Sequence, residues 1–210
     1  MEDEKLIKNA RKPKGELGSK LLDRMNESHE SMASWGVTHL KINEKDIILD
    51  IGCGGGVNIQ RFAKIAKNGK IYGIDYSEVS VEKSKELNKN FINEGLVEVT
   101  EGSVSNLPFD DNTFDLITGF ETIYFWPEFE NDLKEVYRVL KPGGTFFICN
   151  EAVHDENTSK NKYDKIVKLL DMNIYSEKSL KNSLEKTGFN NFKAFRKDGE
   201  DWICTLSSKI

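Results

Sequence analysis

The stretch "ILDIGCGGG" (residues 48–56) puts the carboxylate of Asp50 inside an apolar run and follows it with Gly52, Gly54 and Gly56. Burying an unsatisfied carboxylate costs several kcal/mol, roughly, so the acid has to be compensated by something. Glycines let a backbone approach a ligand closely, and a helix opening behind such a loop offers free N–H groups and a positive dipole end. A second acid, Asp75, ends "GKIYGID" beside Tyr76. A third group of polar and aromatic side chains lies in "GFETIYFWPEF", with Glu121 among Phe120, Tyr124, Phe125, Trp126 and Phe129. Aromatics are 10% of the chain, so five within ten residues point to a shaped pocket. A carboxylate there can orient an amine, take a proton, or touch a cofactor.

The surrounding pattern predicts the elements that hold these residues. "DIILDI" is a continuous apolar run, as in a strand covered on both faces, and "VNIQRFAKIA" places Ile59, Phe62, Ala63 and Ala66 on one helical face. "GKIYGID", "LVEVTEG", "TFDLITGF" and "TFFICNE" read as the next four strands. Ser77 is a candidate N-cap for a helix carrying Val81, Leu87 and Phe91. Leu133, Val136, Tyr137 and Leu140 fall at helical spacing ahead of a "KPGG" turn. Strand–helix alternation implies a parallel sheet with right-handed crossovers. Beyond residue 150 come two helices, "NKYDKIVKLLDM" and "SEKSLKNSLEKTGF", and a final hairpin from "NFKAFRK" and "EDWICTLSS". Leu17 to Leu40 reads as one helical cap with Leu21, Leu22, Met25, Met32 and Trp35 at mostly helical spacing. The charged first 15 residues read as a solvated tail, although Lys8, Arg11, Lys12 and Lys14 could touch phosphate.

Three kinds of ligand compete for the glycine loop. A phosphate-binding P-loop needs Lys-Ser or Lys-Thr after its last glycine, and none follows. The dinucleotide fingerprint asks for a small residue where Val57 stands, which counts against a nicotinamide enzyme. The remaining pattern, Asp50-x-Gly52-x-Gly54-x-Gly56, resembles the first motif of the class I S-adenosylmethionine-dependent methyltransferases. "YGIDYS", "EGSVSNLPFDDNTFDLI" and "EVYRVLKPGG" are similar to that family in order and approximate spacing, so the resemblance covers residues 46 to 150. It implies an α/β fold, a doubly wound and mostly parallel seven-stranded sheet ending in a β-hairpin, with helical cap segments. It also implies S-adenosyl-L-methionine as cofactor. Gly52 and Gly54 would lie against its methionyl and ribose parts, with Asp50 orienting the loop and the ammonium, or merely capping the turn. Asp75 would hold the ribose hydroxyls, with Tyr76 and Phe120 also at the cofactor. Ser103 stands where the family often has an acid for the adenine amino group, and the Val104 N–H could still reach the ring.

In-line methyl transfer owes much of its rate to alignment, so a pocket should be plainer than a catalytic triad. Glu121 and Tyr124 are the candidate catalytic groups, and Trp126, Glu151, Trp35 and His29 the candidate acceptor contacts, with Asn150 and Tyr175 nearby. The Asn-Pro-Pro-Tyr type signature of adenine-amino methyltransferases is absent, because Phe120, Glu121, Thr122 and Ile123 occupy its place. The net charge of −5 likewise speaks against nucleic acid as the main partner. The expected function is methyl transfer to a small-molecule N, O or S nucleophile. RNA or protein methylation and a cofactor-binding module without catalysis remain as alternatives. Cys53, Cys149 and Cys204 form no metal or disulfide pattern, the three histidines lack metal spacing, and no run reaches transmembrane length. A cytoplasmic protein without membrane or metal is expected. Residues 1–45 would form the tail and cap, and 46–210 the main domain, with an insertion at about 152–175.

Overall fold

The structure is a computed structural model that describes residues 7–154 and 163–210. Its centre is a seven-stranded sheet in the order β3-β2-β1-β4-β5-β7-β6. The strands are β1 (Ile47–Ile51), β2 (Lys70–Asp75), β3 (Val97–Glu101), β4 (Phe114–Phe120), β5 (Leu140–Asn150), β6 (Asn190–Arg196) and β7 (Ile203–Ser208). β1 to β5 run parallel, whereas β7 lies antiparallel between β5 and β6. The expected parallel core and terminal hairpin are both present.

The helices are α1 (Gly15–Ser28), α2 (Glu30–Val37), α3 (Val57–Ile65), α4 (Glu78–Leu87), α5 (Lys89–Asn93), α6 (Phe129–Val139), α7 (Asp164–Leu170) and α8 (Glu177–Thr187). Successive strand residues point to opposite faces, so Leu49 and Ile48 enter different cores. Leu49 joins Leu133, Val136, Leu180 and Leu184 under α6 and α8. Ile48 joins Met32, Ile59, Phe62 and Val81 under α2, α3 and α4. Helices on both faces make the sheet doubly wound and place the carboxyl ends of β1, β2 and β4 along one rim, where ligands of such sheets bind.

Several local expectations change. The cap from Leu17 to Leu40 is two helices that meet at His29, and Leu17 is exposed. The helix after β2 is capped by the Ser77 hydroxyl as expected, but it is interrupted at Asn88. The Asn88 amide donates to the carbonyls of Ser84 and Gly56 at 2.9 and 3.0 Å, which ties this junction to the glycine loop and leaves Leu87 exposed. "KPGG" belongs to β5 and is more than a turn: Gly143 N–H donates to Lys209 at 2.7 Å and Lys209 N–H to Gly144 at 3.2 Å, pairing it with the chain's end. The first 15 residues are not simply a solvated tail. Pro13 is buried, its carbonyl accepts from Ser77 Oγ at 2.7 Å, and Arg11 pairs with Asp171 at 2.7 Å. These partners lie more than 60 residues away in sequence, so local polarity could not reveal them. Cys149 and Cys204, remote in sequence, face each other across β5 and β7 with sulfurs 2.9 Å apart as free thiols. Residues 155–162 of the expected insertion, and residues 1–6 of the tail, lie outside the described residues.

Candidate active site

β1 ends in the glycine loop because no side chain fits there. Gly52 has φ +68, a conformation L side chains rarely adopt, and a Cβ at this position would sit 2.1 Å from Thr122 Oγ1. The loop is fastened to β2: the Gly52 and Cys53 N–H groups donate to the Ile74 carbonyl at 2.8 and 3.1 Å, and Gly54 N–H donates to Asp75 Oδ2 at 3.0 Å. The other Asp75 oxygen accepts from Ser77 N–H at 2.9 Å. Burial raises the Asp75 carboxyl above its ordinary range despite these two donors.

Asp50 is compensated differently from the expectation. Its hydrogen bond comes from the Thr118 hydroxyl of β4 at 2.6 Å and not from a loop N–H, while the loop is held by Asp75. The register of the parallel pair sets Asp50 beside Thr118. Burial, reinforced by the nearby Asp75, pushes Asp50 up to about 7, and Thr118 and Arg61 act in the opposite sense. A carboxylate at 2% exposure with one hydroxyl donor is only partly satisfied, and a cation beside it would complete its shell.

At the tip of β4, Glu121 adopts φ +56, in the left-handed region. Its N–H donates to the Cys149 carbonyl at 3.0 Å, and its Oε1 accepts from the Tyr124 hydroxyl at 3.1 Å and from Glu151 N–H. Burial, together with the neighbouring Glu151 charge, pushes Glu121 up to about 8. His29 Nε2 stands 3.9 Å from Glu151 Oε2, and burial lowers the imidazole's pKa.

These groups bound one cleft enclosing about 1210 Å³ of empty space, its open mouth included. Asp50, Gly52, Gly54, Asp75, Tyr76, Ser103, Val104, Phe120, Glu121, Trp126 and His29 all line it. The α1 residues Leu22, Met25 and Asn26, at i, i+3 and i+4, form the roof with His29 at the α1–α2 junction. Arg11 and Pro13 close the end near Tyr76, whose hydroxyl donates to the Arg11 carbonyl and whose ring lies 5.0 Å from Lys12 Nζ. Sequence reasoning expected a helical cap over Leu17 to Leu40 and named His29, but it missed Thr118, Thr122 and the roles of Leu22, Met25 and Asn26 in the roof; a threonine within the apolar strand "FDLITGF" was the available signal for the first.

Four expected site residues stand elsewhere. Tyr124 is 1% exposed, and its hydroxyl accepts from Ala152 N–H at 2.9 Å while donating to Glu121, so it braces Glu121 from behind the cleft. Trp35 turns away from the cleft, 6.1 Å from the Trp202 ring, because α2 breaks from α1 at His29 and lies against β5. Tyr175 stacks on Phe129 at 4.2 Å, and Asn150 is buried in the sheet. Glu151 is not among the cleft-lining residues; it stands behind the wall, with its N–H donating to Glu121 and its Oε2 3.9 Å from His29 Nε2.

The family model described as Methyltransferase domain matches residues 49–148. The Bacillus subtilis protein YrhH, whose name calls it a methyltransferase, is 30% identical over 155 residues that make up 74% of this chain and 83% of YrhH. The chain belongs to the class I S-adenosylmethionine-dependent methyltransferases. The chain is also 29% identical to the sterol 24-C-methyltransferase of Kluyveromyces lactis over 154 residues, 70% of the chain but only 41% of that relative. The chain thus spans about two fifths of that protein's length. A crystal structure of an S-adenosylmethionine-dependent methyltransferase from Aquifex aeolicus superposes with a TM-score of 0.75 at 21% identity, covering 91% of this chain and 98% of that one. No helix among the described residues is long and apolar enough to cross a membrane.

Proposed function

We propose that the protein transfers a methyl group from S-adenosylmethionine to a small-molecule acceptor held under α1. The observation that carries this reading is the cleft itself, in which a glycine loop fastened to Asp75 lies between the buried Asp50 and the strained Glu121. The loop residues fit the cofactor on structural grounds. A side chain at Gly52 would fill the cradle, and Asp50 has a single hydroxyl donor where a cationic ammonium would complete its partners.

S-adenosylmethionine, when bound, would supply a sulfonium methyl group that the acceptor's electron pair takes in line as the C–S bond breaks and S-adenosylhomocysteine leaves. The chain's own residues bind and align. Asp75 holds the ribose hydroxyls while keeping the loop closed, and Ser103 with the Val104 N–H meets the adenine. Ser103 Oγ already accepts from Ser105 N–H at 3.2 Å, so its hydroxyl proton is free to point at the base. Phe120 and Tyr76 wall the nucleoside. Leu22, Met25, Phe125 and Trp126 exclude water from the acceptor's end, which favours alignment over solvent attack. Glu121, braced by Tyr124, is the carboxyl we assign to take a proton from an acceptor.

The roof supports a small acceptor over a polymer. Arg11 and Lys12, two of the four basic residues (with Lys8 and Lys14) that a nucleic acid grip would use, turn to Asp171 and to Tyr76. The sterol methyltransferase relative is in keeping with an apolar acceptor. Residues 1–45 would act as the cap, 46–210 as the catalytic domain and 152–175 as its insertion, in a reducing cytoplasm that suits three free thiols. Equilibrium binding of S-adenosylmethionine to the purified chain, followed by a screen of small acceptors with radiolabelled donor, tests the reading. Absence of saturable binding would refute it.

A further inference from the structure

Strands β5 and β7 carry a pair of reactive groups that methyl transfer does not use. Cys149 and Cys204 are 55 positions apart in sequence and directly opposite each other in the antiparallel pair. Both are wholly buried. The Cys204 thiol donates to Cys149 Sγ at 2.9 Å, and Cys149 Sγ lies 3.9 Å from the Met32 carbonyl of α2. Helix α2 is fitted to this pair. A Cβ on Gly36 would stand 2.6 Å from Cys149 Sγ and 3.1 Å from Cys204 Sγ, so glycine is what lets the helix close over two sulfurs. A disulfide needs sulfurs ~2.05 Å apart on residues whose Cα atoms are ~4.4–6.8 Å apart, and facing residues of antiparallel strands lie at ~4.5–5.5 Å. Bond formation therefore asks the sulfurs to approach by ~0.9 Å and leaves the strand pairing in place.

We propose that Cys149 and Cys204 form a redox modification site, closed to a disulfide by an oxidant of the hydroperoxide class and reopened by a dithiol reductant. Neither cysteine lines the cleft, so the site stands independently of the methyl-transfer reading.

The chemistry balances with hydrogen peroxide alone. One thiol gives up its proton, and its sulfur attacks a peroxide oxygen. The O–O bond breaks, leaving a sulfenic acid and a hydroxide that takes the proton to become water. The second sulfur then attacks the sulfenic sulfur. The S–S bond forms, the S–O bond breaks, and the departing hydroxide leaves as water with the second thiol's proton. Two electrons pass from the sulfurs to the peroxide. A second thiol already in contact diverts the sulfenic acid to a disulfide before further oxidation. Burial holds the Cys149 thiol well above its ordinary value, so reactive thiolate is scarce and the pair rests reduced, reacting over hours. In a reducing compartment the bond is transient, made under oxidant and removed by thiols. Cys53, the third thiol, has no sulfur within contact among the described residues.

Counting thiols by mass tests this. The full chain is kept folded in hydrogen peroxide, freed of oxidant, then unfolded in guanidinium with N-ethylmaleimide. The three labels of the untreated protein should fall to one, with Cys149 and Cys204 recovered in a linked peptide two hydrogens lighter than its thiol form. Dithiothreitol before labelling should restore all three. Cys204→Ala, or Cys149→Ala should the first not fold, should take two labels before and after peroxide and give no linked peptide. The bond closes a loop of 55 positions, so the oxidised wild type should melt roughly 5–15 °C higher than the reduced one, a rise the variant lacks. Three labels persisting in the folded protein overturn the proposal, as do linkage through Cys53 and two sulfinic acids in place of a disulfide. A bond that forms only in the urea-unfolded chain also overturns it, and so does an oxidised protein that melts no higher, because the bond would then distort the fold.

Discussion

Thr118→Val is the sharpest test of how the cleft's buried charge is held. The substitution keeps the side chain's shape and removes one hydroxyl, the 2.6 Å donor to Asp50 Oδ1. Burial pushes Asp50 up to about 7 from the ordinary aspartate value of 3.8. The folded protein therefore keeps a proton that the unfolded chain has already released between those values. Stability must fall as pH rises through that window and level off above it. Thr118 opposes this shift by stabilising the ionised form, so its loss should raise the folded pKa further. A hydrogen bond to a charged group contributes about 1.5–3 kcal/mol and one to a neutral group about 0.5–1.5 kcal/mol. The difference of about 1.4 kcal/mol corresponds to about one pKa unit. At pH 6, with Asp50 protonated in both proteins, the variant should lose only the neutral bond. At pH 9 it should lose about 1.4 kcal/mol more, or roughly 3–6 °C of additional melting-temperature loss for a domain of this size. Glu121 titrates in the same range but does so in both proteins, so it cancels from the difference. Thermal melts of wild type and variant at both pH values supply the measurement. A destabilisation that is equal at pH 6 and pH 9 would show that Thr118 does not hold the Asp50 charge.

If a cofactor ammonium settles beside Asp50, it should drive that carboxyl to ionise, so binding at pH 6 releases about one proton; calorimetry in two buffers of different ionisation enthalpy reads this, and proton-neutral binding contradicts it. Asp75→Ala should weaken S-adenosylmethionine by about 1–3 kcal/mol, because the ribose contact goes and the Gly54 and Ser77 N–H groups lose their acceptor; unchanged affinity would remove Asp75 from the site. Tyr124→Phe should leave cofactor affinity nearly intact and lower kcat, with the limb of the pH–rate profile assigned to Glu121 moving to higher pH, since the phenol now favours the ionised carboxylate. An unmoved limb would mean that Tyr124 does not act through Glu121.

The legible parts of this protein are those whose cause is local. The first apolar run became the central strand β1 because burial on both faces leaves a mark within the run, whereas β3 at the sheet edge shows the alternation of a strand buried on one face. The glycine loop was legible because its pattern sits within nine residues and admits few ligands. What escaped depends on register. Asp50 and Thr118 are 68 positions apart, and only the pairing of β1 with β4 makes them neighbours. The same holds for Pro13 and Ser77, whose bond turns a polar N-terminal stretch into one wall of the cleft. Tyr124 looked like a catalytic hydroxyl, because nothing in "ETIYFW" says which aromatic faces inward; its one-turn offset from Glu121 through a short 3₁₀ segment (Ile123–Phe125) decides that.

The three acids also make sense together only in the folded sheet. Asp50 is at the end of β1, Asp75 at the end of β2 and Glu121 just past β4, and these strands lie side by side in the order β2-β1-β4. Parallel strands send their carboxyl ends to one rim, so the topology concentrates negative charge along a single line at the cleft floor. Such a line destabilises the ligand-free protein, as the raised pKa values of all three carboxyls indicate. Each acid also braces backbone or a neighbouring side chain, yet an amide could accept several of those same hydrogen bonds without the charge. What an amide cannot supply is attraction for a cation. At the glycine loop a positive ligand would account for that charge: the ammonium of the sulfonium nucleoside proposed there, set beside Asp50 with its single Thr118 donor.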